Sequence, residues 1–166
     1  LGEEIGVAEC VPEDRLGELY RKGKGVQLDL EQGFEWLMRA ALLGDTEAMR
    51  EVGQCLVVGE GVGQDPKQGL EWLLLAAREG DTDAPVLIGI AYEDGLGVTK
   101  DTKAALAWMY IANARPENRT DLRRQFIIQQ ISEMEAVLGR DGMLEAQSIA
   151  KTLLTENLED TASTNR

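Results

Sequence analysis

The residues able to do chemistry in this chain are few, and their types exclude several mechanisms at once. It contains no histidine. Ser/His/Asp and Cys/His nucleophilic catalysis therefore lack their base, and zinc held by histidine lacks its ligand. Acidic groups dominate, with 30 Asp and Glu against 17 Lys and Arg and a net charge of −13. A pair such as Glu18 and Glu93 has the chemistry of an acid and a base, but nothing in the spacing fixes their separation. Three connectors, reading GKGVQLD, GEGVGQD and GLGVTKD, have the glycine content of phosphate loops. None ends in Gly-Lys-Ser or Gly-Lys-Thr, and none follows a strand-like run. No EF-hand spacing occurs. The expectation is no catalytic residue, no cofactor and no metal.

Cys10 and Cys55 are the two thiols. In the internal frame described next, Cys10 shares a column with Thr46, nine positions ahead of Cys55. On parallel helices that offset is about 13 Å, and a disulfide needs Cα atoms within roughly 7 Å. Two free thiols are expected, which favours a cytoplasmic over a periplasmic or secreted location. The acidic balance disfavours nucleic acid and anionic membrane surfaces and suits a basic partner. No run of about 18 apolar residues is available to cross a membrane, and no signal peptide is visible. The chain begins at Leu1, which reads as a processed or trimmed start.

The elements that position these residues follow a period of thirty-six. Trp36, Trp72 and Trp108 keep it, as do Gly17, Gly53 and Gly89, and Asp29, Asp65 and Asp101. The connector columns Gly23, Gly59 and Gly95, Gly25, Gly61 and Gly97, and Val26, Val62 and Val98 keep it too. A strict period of this length signals stacked supersecondary units. Each unit reads as a helix A, a glycine turn and a helix B. The first A helix spans Pro12–Lys22, and the B helices span Leu30–Leu43, Pro66–Glu79 and Thr102–Ala114. The first connector glycine suits a left-handed helix end. The Asp suits an N-cap, with Gln32 and Gln68 placed for a capping box. The glycine inside each A helix costs roughly 1 kcal/mol against alanine, which close packing by a neighbouring helix would offset. Asp45 and Asp81 are candidate caps for the next A helix. After Ala114 the register breaks at a Pro116–Asn118 turn. A helix over Thr120–Leu138 follows, with Ile127, Ile131, Met134 and Leu138 on one face. Arg140–Gly142 separates it from a last helix over Met143–Leu154. Residues 1–11 read as a lead-in, 12–114 as repeats, 115–155 as capping helices and 156–166 as a disordered tail.

The motif A-x₃-L-G-x₂-Y-x₂-G-x-G-V-x₂-D-x₃-A-x₂-W-x₃-A-A-x₂-G-x₃-A resembles the Sel1-like repeat. The middle copy carries it at Ala48, Gly53, Gly59, Gly61, Val62, Asp65, Trp72, Ala76, Ala77, Gly80 and Ala84, departing at Val52, Leu56 and Gly69. The resemblance covers about Pro12–Ala114. It implies an all-α fold: a right-handed α/α solenoid of about three repeats with a C-terminal capping helix pair, related to tetratricopeptide arrays. Members of the family, many of them bacterial, mostly act as adaptors between proteins. The cysteine pairs of the family's disulfide-bearing branch are missing here. The consensus columns are structural, so all three tryptophans are expected in the core. By analogy with tetratricopeptide grooves, partner-binding positions fall on the A helices. These are Asp14, Glu18 and Arg21, then Arg50, Gln54 and Val57, then Val86, Ile90 and Glu93. Val57, Val86 and Ile90, extended by Phe126, would form an apolar strip if the C-terminal helix leaves them open. The implied function is a non-enzymatic scaffold that takes a partner peptide or amphipathic helix in its concave groove. The alternative is an inhibitor or immunity-type protein covering a basic partner with its acidic surface.

Overall fold

The structure, a computed structural model, describes residues 13–24, 27–114 and 121–164, without the side chains of Glu13, Asp14, Asp121 and 156–164. Cys10, the lead-in, Gly25, Val26 and the Pro116–Asn118 turn lie outside the described residues. Seven α-helices occur among those described: α1 (Glu13–Lys22), α2 (Leu30–Leu42), α3 (Thr46–Val58), α4 (Pro66–Arg78), α5 (Ala84–Asp94), α6 (Thr102–Ala114) and α7 (Asp121–Thr164). The chain forms two compact units, 1–81 and 82–166. This division groups the third hairpin with the C-terminal helices, where the sequence suggested a break after Ala114. Packing explains it. The buried Ala105, Leu106 and Met109 of α6 share one apolar cluster with Ile127, Ile131 and Met134 of α7.

Within the first unit α1 packs on α2, α2 on α3, and α3 on α4. The connectors between A and B helices close alike. Gly59 and Gly95 end α3 and α5 in the left-handed conformation, at φ 81° and 73°. The Asp29 and Asp65 side chains each accept from the backbone N–H three residues on, at 3.0 Å. Asp101 does so from Ala104 at 3.1 Å. Their own N–H groups donate to the carbonyls of Tyr20, Leu56 and Tyr92 at 3.0, 2.8 and 2.9 Å. This bond takes the donor that Gln32 and Gln68 would have satisfied in a capping box. Asp45 caps α3, accepting from the Ala48 N–H at 2.8 Å. Asp81, ahead of α5, is buried and pairs with Arg50, and Asp83 stands at the N-cap position of α5 without a side-chain capping bond.

The glycines inside the A helices answer a close approach. A Cβ on Gly53 would stand 2.8 Å from Leu73 Cγ and 2.9 Å from the Gly69 carbonyl oxygen. Gly69, where the repeat motif has alanine, would bring its own Cβ within 2.7 Å of Val57 Cγ2. The backbones of α3 and α4 thus meet glycine on glycine.

The three tryptophans are not equivalent. Trp108 is 6% exposed, on a helix covered by both α5 and α7. Trp36 and Trp72 are half-buried, contrary to the core placement the repeat pattern implied. The Arg39 guanidinium lies 4.5 Å from the Trp36 ring centroid and shields part of its face.

In α7 the expected face is formed, with Ile127, Ile131 and Met134 buried. The break falls at Gly139 alone, not across Arg140–Gly142, and the helical backbone continues to Thr164, past the expected Leu154. Among the described residues no helix is long and apolar enough to cross a membrane.

Candidate interaction face of the first unit

Helices α1 and α3 carry the charged positions that the repeat leaves free. Their spacing of three and four residues places Glu18 with Arg21 and Lys22 on one face of α1, and Glu47, Arg50, Glu51 and Gln54 on one face of α3. Arg21 bridges the two elements. It donates through Nη1 to Glu51 Oε2 at 2.6 Å and through Nε to Glu60 Oε1 at 2.9 Å. Arg50 donates to Asp81 at 3.3 Å, to Glu47 at 3.1 Å and to Gln54 at 3.3 Å. Glu18 accepts from Lys22 Nζ at 2.6 Å, and that hydrogen bond holds its carboxyl below the usual range. Burial pushes the Glu51 carboxyl up, against the pull of Arg21 and Arg50.

Between these helices lies a cleft of about 360 Å³, lined by Arg15, Glu18, Leu37, Glu47, Ala48 and Glu51. Leu37 and Ala48 give it apolar wall, and three carboxylates ring it. A cleft of this make-up suits a long cationic side chain, whose methylene stem is apolar and whose head is charged. It presents no nucleophile and base in reach of each other.

The structure brings together Glu18, Arg21, Arg50 and Gln54 of the expected partner-binding residues. The side chain of Asp14 lies outside those described. Val57 is half-buried and packs over Gly69. Val86 and Ile90 do not form an open apolar strip: both are partly buried against the cluster that α7 completes. Phe126 is 42% exposed and is no part of that cluster. Glu93 accepts from Lys100 Nζ at 2.7 Å, a pairing with its own connector. Arg15, Glu47, Glu51 and Glu60 were not anticipated, nor was the pairing of Asp81 with Arg50. The column of Arg15, Glu51 and Leu87 varies as freely as the chosen columns and lies one residue beside one of them, so it was within reach of the sequence.

Cys55 is a free, buried thiol. Burial pushes its pKa up to about 11. With Cys10 replaced by serine, Cys55 in the folded protein is expected to react with a disulfide reagent roughly a hundredfold slower than in urea near pH 8, since each pKa unit removes a factor of ten in thiolate. Equal rates in stopped-flow absorbance would show the thiol to be open.

The Sel1 repeat family model matches residues 14–45, 46–81 and 86–115, more than half of the chain. The fold is similar to the crystal structure of a Sel1 repeat protein from Oxalobacter formigenes, with 25% identity, a TM-score of 0.59, and coverage of 87% of this chain and 57% of that one. It is also similar to a protective antigen of uropathogenic Escherichia coli with an SLR fold, with 24% identity, a TM-score of 0.57, and coverage of 89% and 38%. The chain therefore spans little more than half of the first structure and less than half of the second. No curated protein matches it significantly. The fold class is an all-α solenoid, and Sel1 repeats generally serve as non-enzymatic scaffolds that bind other proteins. With its repeat period, its glycine-on-glycine hairpins and three matched repeats, the chain belongs to the Sel1 repeat family.

Proposed function

We propose that this protein is a non-enzymatic adaptor that holds a basic segment of another protein against α1 and α3. The cleft between those helices carries the reading, because Glu18, Glu47 and Glu51 ring it at positions the repeat does not need for packing. A lysine or arginine of the partner would lay its stem on Leu37 and Ala48 and its head among the carboxylates. Glu18, Arg21, Arg50 and Gln54 would frame the contact, with Arg21 and Arg50 holding the acidic groups in place. The net charge of −13 also supports a reading as an inhibitor that covers a basic protein, which would share the same contact.

Fluorescence anisotropy with lysine-rich and glutamate-rich amphipathic peptides tests this. The basic peptide is expected to bind, with affinity falling as salt rises. Glu47→Lys should weaken it about tenfold at low salt and flatten the salt dependence, the scale of one charge-assisted contact. Glu47 is exposed, so helicity should be unchanged. Equal affinity for both peptides, or an unaltered Glu47→Lys, would refute the proposal. An inhibitor would in addition abolish its partner's activity on binding.

A further inference from the structure

We propose that Gly139 is a hinge through which the C-terminal arm, residues 140–164, can be exchanged with the same arm of a second copy of this chain. Gly139 is the one non-helical residue within the 44-residue span of α7, at φ 66° and ψ −171°. That region of backbone space is essentially restricted to glycine. The space that a side chain would take there is open, since a Cβ built on Gly139 meets nothing within 4 Å. The next turn is tight as well: a Cβ on Gly142 would stand 2.7 Å from Leu138 Cβ. The corner therefore rests on two glycines, and the straight alternative needs only one residue to become helical.

What the arm covers identifies its occupant. Ala146 of the arm is fully buried and Met143 is packed beside it, in one cluster with Ala105, Leu106 and Met109 of α6. Lys103 of α6 pairs with Glu145 of the arm. Straightening α7 would carry these groups away from α6 and expose both apolar faces. The surface complementary to each is already encoded in the same sequence, so an arm from a second copy restores every contact. Short hinges under strain favour such an exchange, because it relieves the corner without a new interface.

Gly139→Ala tests the hinge, in a chain carrying Lys103→Cys and Glu145→Cys, with Cys10→Ser and Cys55→Ala to remove the native thiols. With glycine at the corner, oxidation is expected to give mainly an intrachain link. With alanine, light scattering should show an about twofold higher mass at wild-type helicity, and oxidation should give covalent dimers on a non-reducing gel. A helical monomer with only the intrachain link would overturn the proposal. Should the alanine variant fail to fold, the chain with the native corner decides after refolding at high concentration. A fraction of interchain links supports exchange, and intrachain links alone refute it. A flexible Gly-Ser insertion after Gly139 should abolish the dimer by relieving the corner, and a dimer that survives the insertion would overturn the hinge.

Discussion

Trp108→Ala is expected to cost about 3–5 kcal/mol, the range for truncating a large buried aromatic side chain. Trp108 is 6% exposed, and its neighbours on α6 from Ala105 to Ala112 are buried except Tyr110. The removed volume cannot be filled from solvent, and close-packed interiors relax only in part. The same change at Trp36 or Trp72 should cost less, about 1–3 kcal/mol, because part of each ring already meets water. Trp36→Ala also removes the contact with Arg39, worth about 0.5–1 kcal/mol where solvent is near. Urea titrations followed by circular dichroism separate the three. Equal losses would mean that the repeat column, and not the local enclosure, sets the energy.

Arg50→Glu is expected to lower stability by about 3–5 kcal/mol, as breaking a buried charge pair does. The side chains of Arg50 and Asp81 are 14% and 9% exposed. Reversal would set a third carboxylate beside Asp81 and Glu47 and would also break the bond to Gln54. Arg50→Met should cost less, because it adds no carboxylate beside Asp81 and Glu47. Calorimetric midpoints of the two variants test this. A midpoint unchanged in Arg50→Glu would return Arg50 to a pure docking role. This residue shows why a position free of repeat constraint is not thereby free of structural work. It lies on the proposed interaction face, yet its guanidinium ties α3 to the chain just before α5.

Most of the architecture was legible in the sequence, and particular residues show how. The thirty-six-residue period, the Asp caps at 29, 65 and 101, the glycine turns and Pro66 at a helix start are local signals. Each acts within a few bonds of the residue that carries it, so letters alone determine it. The glycine inside each A helix was legible as a close approach because its cost recurs in register. Three matters depended on residues distant in the chain. Val86 and Ile90 are covered because α7 returns onto α6, which no repeat column records. Asp81 is buried against Arg50, thirty-one positions earlier, a pairing that local spacing could not name. The cleft is lined from α1, α2 and α3 together, and Arg21 of α1 pairs with Glu51 of α3 at its edge. Sequence sets which helices form and how each hairpin closes, through short-range sterics and capping. Burial and charge pairing are sums over neighbours that only the packed chain assembles, so the tertiary structure alone decided which charged residues are tied into the fold and which stay at the surface.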